Sequence, residues 1–397
     1  MGIDTISAGV DRVRKFVDRG SRDLRLLSIA SFVAMFGYGA FSAAYNNFIV
    51  DVLKLRPGQL GIVESFRESP GFLMFAVAAL TMRIAEPPLA AASLLMVAIG
   101  LVAYCGVHGL PSLVVWSVVW SMGLHAWMTL QPSMTLSLST SRNKGLRLGQ
   151  ITAVSALGTI LGMVLVLIGG NRLGFNRIFI VSCAFVLVGA AALLGISKDI
   201  GQAEKPRLVF KREYSLYYLL TFLEGCRKQV FLTFAIFLLV RNYHTPIHIV
   251  ALLMILNNVV NLSMSAWIGR MIDRFGERLV LIVCYTAAIP VFIGYAMVHN
   301  ALMLYILYGL DNLFYIGSMG STTYLHRIAD PKDVMPSLAM GVSMNHAAAV
   351  AVPLIGGLLW ATYGHAVTFY GGAVVVAISV FAVFRMRSVA VPVGLTS

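Results

Sequence analysis

The sequence predicts an all-α integral membrane protein with twelve transmembrane helices in two six-helix, pseudo-symmetric halves. Three observations carry this. Of the 397 residues, 58% are hydrophobic and only 12% are charged, with a mean hydropathy of +0.83, whereas charged residues make up about a quarter of a soluble domain. The apolar residues fall into runs long enough to cross the ~30 Å hydrocarbon layer at ~1.5 Å per residue. The longest charged segment, residues 198–214 (KDIGQAEKPRLVFKREY), divides these runs into six and six.

Residues 1–24 precede the first run. Ile3, Ile6, Val10, Val13 and Val17 recur at spacings of three and four, with Arg12, Arg14, Lys15, Arg19 and Arg22 as the basic complement. The pattern fits an interfacial helix on an anionic leaflet, with a solvated basic tail as the alternative. The first half, residues 25–197, then carries spans at 25–50, 59–82, 88–107, 112–136, 148–169 and 177–197. The linker 198–214 follows. The second half, residues 215–387, carries spans at 215–240, 247–268, 279–298, 301–326, 335–360 and 366–384, and residues 388–397 form a tail. No cleavable leader pattern precedes the first span, which is expected to act as its own insertion signal.

The net charge of +13 does not form a nucleic-acid patch, because the basic residues are spread through short loops. With the N-terminus inside, 22 of the 30 Lys and Arg fall on the cytoplasmic side. Five fall outside: Lys54, Arg56, Arg172, Arg177 and Arg241. That asymmetry predicts cytoplasmic termini. Cys105, Cys183, Cys226 and Cys284 lie within apolar runs at unrelated spacings and read as small buried residues. The one N-x-S/T sequon, at Asn261, falls inside a span.

The chemistry lies in charges placed where charges are costly. Residues 215–240 read SLYYLLTFLEGCRKQVFLTFAIFLLV, with Glu224, Arg227 and Lys228 at i, i+3 and i+4 in the middle. A charge at mid-bilayer costs at least ~2.5–3.5 kcal/mol, so such residues face protein or water and mark transport pathways, the alternative being a structural ion pair between helices. The second span repeats the spacing with Glu64, Arg67 and Glu68. Asp311 and Asn312, Asn257 and Asn258, His125, and Asn345 with His346 fall near mid-depth in other spans. Four acids (Glu64, Glu68, Glu224, Asp311) face three bases, which predicts salt-bridged pairs plus one carboxylate free to trade a proton.

Several of these have plainer readings. His125 and His346 read equally as hydrogen-bonded core residues, and Asn257 and Asn258 as interhelical glue. Trp116, Trp120, Tyr217 and Tyr218 fit packing or an interfacial belt. No His/Cys/Asp/Glu spacing makes a metal site. No Gly-rich Walker loop or nucleophile–base motif is present, so the sequence gives no sign of an enzyme and no cofactor is expected.

One loop is more specific. After the eighth span come Gly269, Arg270, Met271, Ile272, Asp273, Arg274, Phe275, Gly276, Glu277 and Arg278. This resembles the G-x-x-x-D-R-x-G-x-R signature of the major facilitator superfamily. In physical terms, Gly269 is expected to permit close helix approach and Gly276 a tight reversal. Asp273, Arg274 and Arg278 are expected to pair with each other and a helix end. Pro353-Leu354-Ile355-Gly356-Gly357 looks like that family's P-x-x-G-G pattern. Arg142 to Gly149 looks like its basic counterpart loop. The loop Thr81 to Pro88 lacks a first-half copy of the signature, and the fifth span has Gly158 and Gly162 but no Gly-Pro pair. The second departure weighs against a multidrug–proton antiporter.

The resemblance implies a secondary transporter working by alternating access. The intramembrane carboxylates point to protons as coupling ion, a monomer is expected, and the compact loops point to a bacterial inner membrane. The resemblance also implies that spans 1, 4, 7 and 10 line the cavity. Arg227, Lys228, Glu224, Asp311, Asn312 and His125 are then the substrate-binding candidates, with Arg227 gripping an anion and Lys228 pairing with Glu224. Glu64, Arg67 and Glu68 become candidates for coupling, and Asp273, Arg274 and Arg278 for gating. A small polar or charged organic solute is the expected cargo, with amphiphile efflux and a non-transporting sensor as the alternatives.

Overall fold

The computed structural model describes residues 3–80, 84–140, 143–197 and 210–386, with side chains described from residue 21 onward except at 74–80. The side-chain pattern of residues 1–20, Arg83, Arg142, most of the linker and the tail therefore lie outside the described residues. The helices are α1 (Ile3–Asn47), α2 (Pro57–Leu80), α3 (Glu86–Ala103), α4 (Leu110–Ser137), α5 (Lys144–Leu194), α6 (Ser215–Val230), α7 (Ile236–Tyr243), α8 (Ile247–Phe275), α9 (Glu277–Met297), α10 (Ala301–Ile316), α11 (Met319–Ile328), α12 (Pro331–Tyr363) and α13 (His365–Phe384).

Among the described residues, nine helical stretches are long and apolar enough to cross a membrane. One of them, α5, is two spans joined at Gly174, whose φ of +71° breaks the helical path. The second and seventh expected spans are also helical, but each carries three charges, which is what sets them apart. The tenth expected span is α10 and α11, joined through a tight turn at Gly317–Ser318 whose backbone stays in the right-handed helical region. The seventh runs from α6 into α7 through a wide π-helical turn at Phe231–Ala235, directly after the charged residues. Such turns interrupt regular helix most often at functional positions.

The chain divides into two compact units, Met1–Tyr45 with Leu73–Glu204, and Asn46–Phe72 with Lys205–Ser397. In the first, glycines bring backbones together. A side chain at Gly158 would meet Phe32 O, one at Gly162 would meet Phe36 O and Ala40 N, and one at Gly39 would meet Thr159 O. This is the small-residue packing of helices that lack a hydrophobic drive to associate in lipid. Gly123 does the same for α4 against Ser93 and Val97 of α3. Phe41 is the hub of an aromatic core with Tyr104 (5.0 Å), Trp120 (5.4 Å) and Phe179 (5.7 Å). Trp120 also donates to the Tyr104 hydroxyl at 3.2 Å. The packing reading of Trp120 holds.

In the second unit α6 packs on α12 and α13, and α9 on α13. The P-x-x-G-G stretch has a visible use there. Gly61 of α2 lies against Pro353 O, and Gly357 lies against Pro57 O and Gly61, so either glycine would collide with backbone if given a side chain. Ser65 Oγ donates to Val350 O at 2.6 Å across the same contact. At the end of α7, Arg241 donates to Leu55 O at 2.7 Å and Asn47 donates to Thr245 O at 3.0 Å. All four cysteines are free thiols, three of them buried.

Candidate functional site

The charged turn of α6 can lie deep in the second unit because Gly225 lets the helix approach α12. A side chain there would come within 3.0 Å of Asn345 and Ala348. One residue before that contact and two after it, at Glu224 and Arg227, α6 turns polar groups toward α9, α10 and α11. Arg227 is 2% exposed and Asp311 1% exposed. Arg227 Nη2 donates to Asp311 Oδ1 at 2.6 Å and to the Asp311 carbonyl at 2.9 Å. The guanidinium also lies over the rings of Tyr315 (5.5 Å) and Phe292 (6.0 Å). These faces suit a delocalised cation that has given up its water.

The pair is incompletely satisfied. Arg227 Nε and Nη1, Asp311 Oδ2 and the Tyr295 hydroxyl are buried with no hydrogen-bond partner among the described residues. A buried polar group left in this condition costs about 1–3 kcal/mol.

Glu224 is held differently. Its Oε1 accepts from the Tyr285 hydroxyl of α9 and the Ser321 hydroxyl of α11. The expected Lys228–Glu224 pair does not form. Helical spacing would allow it, but the carboxylate is taken by the two hydroxyls, and Lys228 stays half-buried while Glu224 and Arg227 are buried. Among the described residues Glu224 makes no ion pair. Asn312 joins α10 to α8, donating to Asn257 O at 3.1 Å and to Asn261 Oδ1 at 3.2 Å. His125 belongs to the first unit, where its Nδ1 contacts Ser121 O at 2.9 Å on its own helix.

The α2 triad forms as its spacing predicts. Arg67 donates to Glu64 Oε1 at 2.7 Å and approaches Glu68 Oε1 at 3.4 Å. Glu68 lies 4.0 Å from His346 Nδ1 of α12.

The signature loop departs from expectation in two ways. Gly276 has φ +81° and makes the tight reversal, but a side chain at Gly269 would meet nothing within 4 Å, so close approach is not its purpose here. Arg278 donates to Phe384 O at 3.0 Å, satisfying a carbonyl at the end of α13. Asp273 is exposed and makes no ion pair with Arg274 or Arg278. The ion pair at this loop belongs to Glu277, 4% exposed, with Arg327 of α11 at 2.8 Å.

Sequence reasoning missed Tyr285, Tyr295, Ser321, Phe292 and Tyr315, which are ordinary residues on apolar spans. It also missed Glu277 and Arg327. The signal for Glu277 was available, because an acid flanked by basic residues at a helix start is a natural ion-pair partner.

Comparison with known proteins agrees with this architecture. The family model of the Major Facilitator Superfamily matches residues 27–216 and again 217–396. The solved structure of the nucleoside transporter NupG has a TM-score of 0.76 at 15% identity, covering 91% of this chain and 98% of that one. A bacterial homologue of iron transporter ferroportin, in an inward-facing state, has a TM-score of 0.74 at 13% identity, covering 92% and 98%. A D-xylose-proton symporter has a TM-score of 0.71 at 12% identity, again covering 92% and 98%. At these identities the likeness is one of fold. A search of curated protein sequences finds no match. Two consecutive family matches, a fold shared along nearly the whole chain and multiple apolar spanning helices lead to one statement: the chain is a multi-pass membrane protein and belongs to the Major Facilitator Superfamily.

Proposed function

We propose that the protein is a secondary active transporter that moves a small polar or charged organic solute by alternating access, coupled to protons. The observation that carries this reading is the Arg227–Asp311 ion pair, buried between α6 and α10 with Glu224 one helical turn away. A pair of charges removed from water is weak evidence of stability, since apolar residues of the same volume often serve as well. Its presence inside a membrane span is better explained by traffic of charge.

In this reading Arg227 is the anion-gripping group, and a solute carboxylate or phosphate competes with Asp311 for its Nη2. Asn312 and Lys228 supply further polar contacts, and His125 is a polar lining residue of the first half. Glu224 is bound by neutral hydroxyls, so taking a proton removes a buried charge without breaking an ion pair. It is the proton-carrying candidate, with the Glu64–Arg67–Glu68 triad in coupling and Asp273, Arg274 and Arg278 in gating. The protein works as a monomer in a bacterial inner membrane with both termini cytoplasmic. Fold neighbours named for a nucleoside and for D-xylose with a proton support a polar organic solute of modest size.

The test is uptake into proteoliposomes of a panel of nucleosides, sugars, amino acids and small carboxylates, with and without an imposed pH gradient. Accumulation driven by the gradient and lost in Arg227→Ala is the expected result. Failure of every solute to accumulate, or accumulation indifferent to Arg227→Ala, overturns the reading.

A further inference from the structure

Among the described residues of the second unit Arg227 is the buried arginine, and it is paired with Asp311 but not with Glu224, the buried carboxylate of its own helix. Glu224 lies three residues before Arg227 on the same face of α6, within reach of the same side chain. Asp311 sits on α10 and the Ser321 that holds Glu224 sits on α11, before and after the tight turn at Gly317–Ser318. The two carboxylates are thus held from different segments of the tenth span.

Helix α9 brings two buried tyrosines to this region. The Tyr285 hydroxyl already donates to Glu224, the carboxylate without the arginine. Tyr295, fully buried, packs on Phe292, the ring under the Arg227 guanidinium, at 6.3 Å, and its hydroxyl has no partner among the described residues. Asp311 Oδ2 and Arg227 Nε and Nη1 are also without partners.

We propose that Arg227 is a two-position switch that exchanges Asp311 for Glu224, with Tyr295 taking over Asp311 as Tyr285 and Ser321 release Glu224. A cluster of one arginine and two carboxylates leaves one carboxylate without a cation in either position, and the two tyrosines are the devices that make each leftover tolerable. Tyr285 and Tyr295 are positioning residues, acting through the carboxylates. The exchange explains why Arg227 spends a single nitrogen on Asp311. The proposal deepens the reading of Arg227 as the centre of the transport site and rests on it, but the pairing is tested without any solute.

Thermal unfolding of the purified full chain in detergent is followed for Asp311→Asn, Glu224→Gln and the double variant. If Arg227 can turn to Glu224, each single change is moderate. The double change strands a buried guanidinium and lowers the midpoint by about 10 °C beyond the sum of the two. Additive effects overturn the exchange. So does failure of Asp311→Asn to fold where Asp311→Asn with Arg227→Gln does fold, since Glu224 should then have sufficed.

A second cycle needs no change at Asp311. Tyr295→Phe alone is expected to leave the midpoint within ~2 °C, because the hydroxyl it deletes is unpartnered. In the Arg227→Gln background, where Asp311 has only Tyr295 to turn to, the same change lowers the midpoint further. Equal effects in both backgrounds remove Tyr295 from the switch. Because neither cycle involves transport, negative uptake results with positive cycles would refute the transport reading and leave the switch standing.

Discussion

Lys211 and Asp333 are joined Nζ to Oδ2 at 2.5 Å although 122 positions separate them. The Tyr214 hydroxyl donates to the same oxygen at 3.2 Å and accepts from the Asp330 amide at 3.3 Å. The Tyr218 hydroxyl adds a contact to Ser337 Oγ at 3.2 Å, with Phe210 stacked on the Tyr218 ring at 5.0 Å. The end of the linker is therefore strapped to the first turn of α12.

The hydrogen bond from Lys211 holds the Asp333 carboxyl below its ordinary range, and Asp333 in turn holds Lys211 above its own. A depressed acid gives stability that is lost only as pH falls through its lowered value. A raised base gives stability that is lost only as pH rises through its raised value. Between those limits the strap is indifferent to pH. Hydrogen-exchange protection factors for residues 210–214 should be flat from about pH 5 to 9, and Asp333→Asn should lower them on the order of threefold. A protection factor that falls steadily across that window would disprove the strap.

In the first unit, Gly158→Ala and Gly162→Ala place a methyl group against the backbone of α1 at Phe32, Phe36 and Ala40. Backbone cannot yield as a side-chain tip does. Each change should cost about 1–3 kcal/mol, visible as a lowered unfolding midpoint. Gly145→Ala, where a side chain meets nothing within 4 Å, is the control and should not destabilise.

What was legible in the sequence follows from which interactions are local. The Glu64–Arg67 contact is set by its i,i+3 helical spacing and was readable from it. So was the reversal at Gly276, because only glycine takes its φ of +81° easily. The position of Arg227, Asp311 and Glu224 as costly charges was legible too, but their partners were not. Helical spacing offers Glu224 both Arg227 and Lys228, and only the packing of α9, α10 and α11 decides that hydroxyls take it instead. Lys211 and Asp333 carry no mark in the chain that would pair them. Gly269 shows the opposite error, a motif position given a packing role that its open surroundings do not support.

Glu277 and Asp273 should separate stability from function within the signature loop. Glu277 is buried and paired with Arg327, so Glu277→Gln should cost about 1.5–3 kcal/mol. Asp273 is exposed, and Asp273→Asn should stay within about 0.5 kcal/mol. If Asp273 has the gating role proposed for it, its loss appears only in turnover. A normal uptake rate with Asp273→Asn would reduce the residue to a topological charge.

Arg227→Lys isolates geometry from charge. An ammonium can still pair with Asp311, so the buried carboxylate keeps a cation and the variant should fold with a midpoint within a few degrees of the parent, roughly 5 °C at most. It cannot lie flat over Tyr315 and Phe292, and it lacks the planar fork that offers two parallel donors to a carboxylate or phosphate. Losing one charge-assisted hydrogen bond to the solute corresponds to about 1.5–3 kcal/mol, or roughly a 10- to 150-fold weaker affinity. Tryptophan fluorescence titration with whichever solute the uptake panel selects measures this directly. Affinity retained in Arg227→Lys and lost in Arg227→Ala would mean that charge alone is read at this position. Affinity retained in both would leave Arg227 a purely structural partner of Asp311.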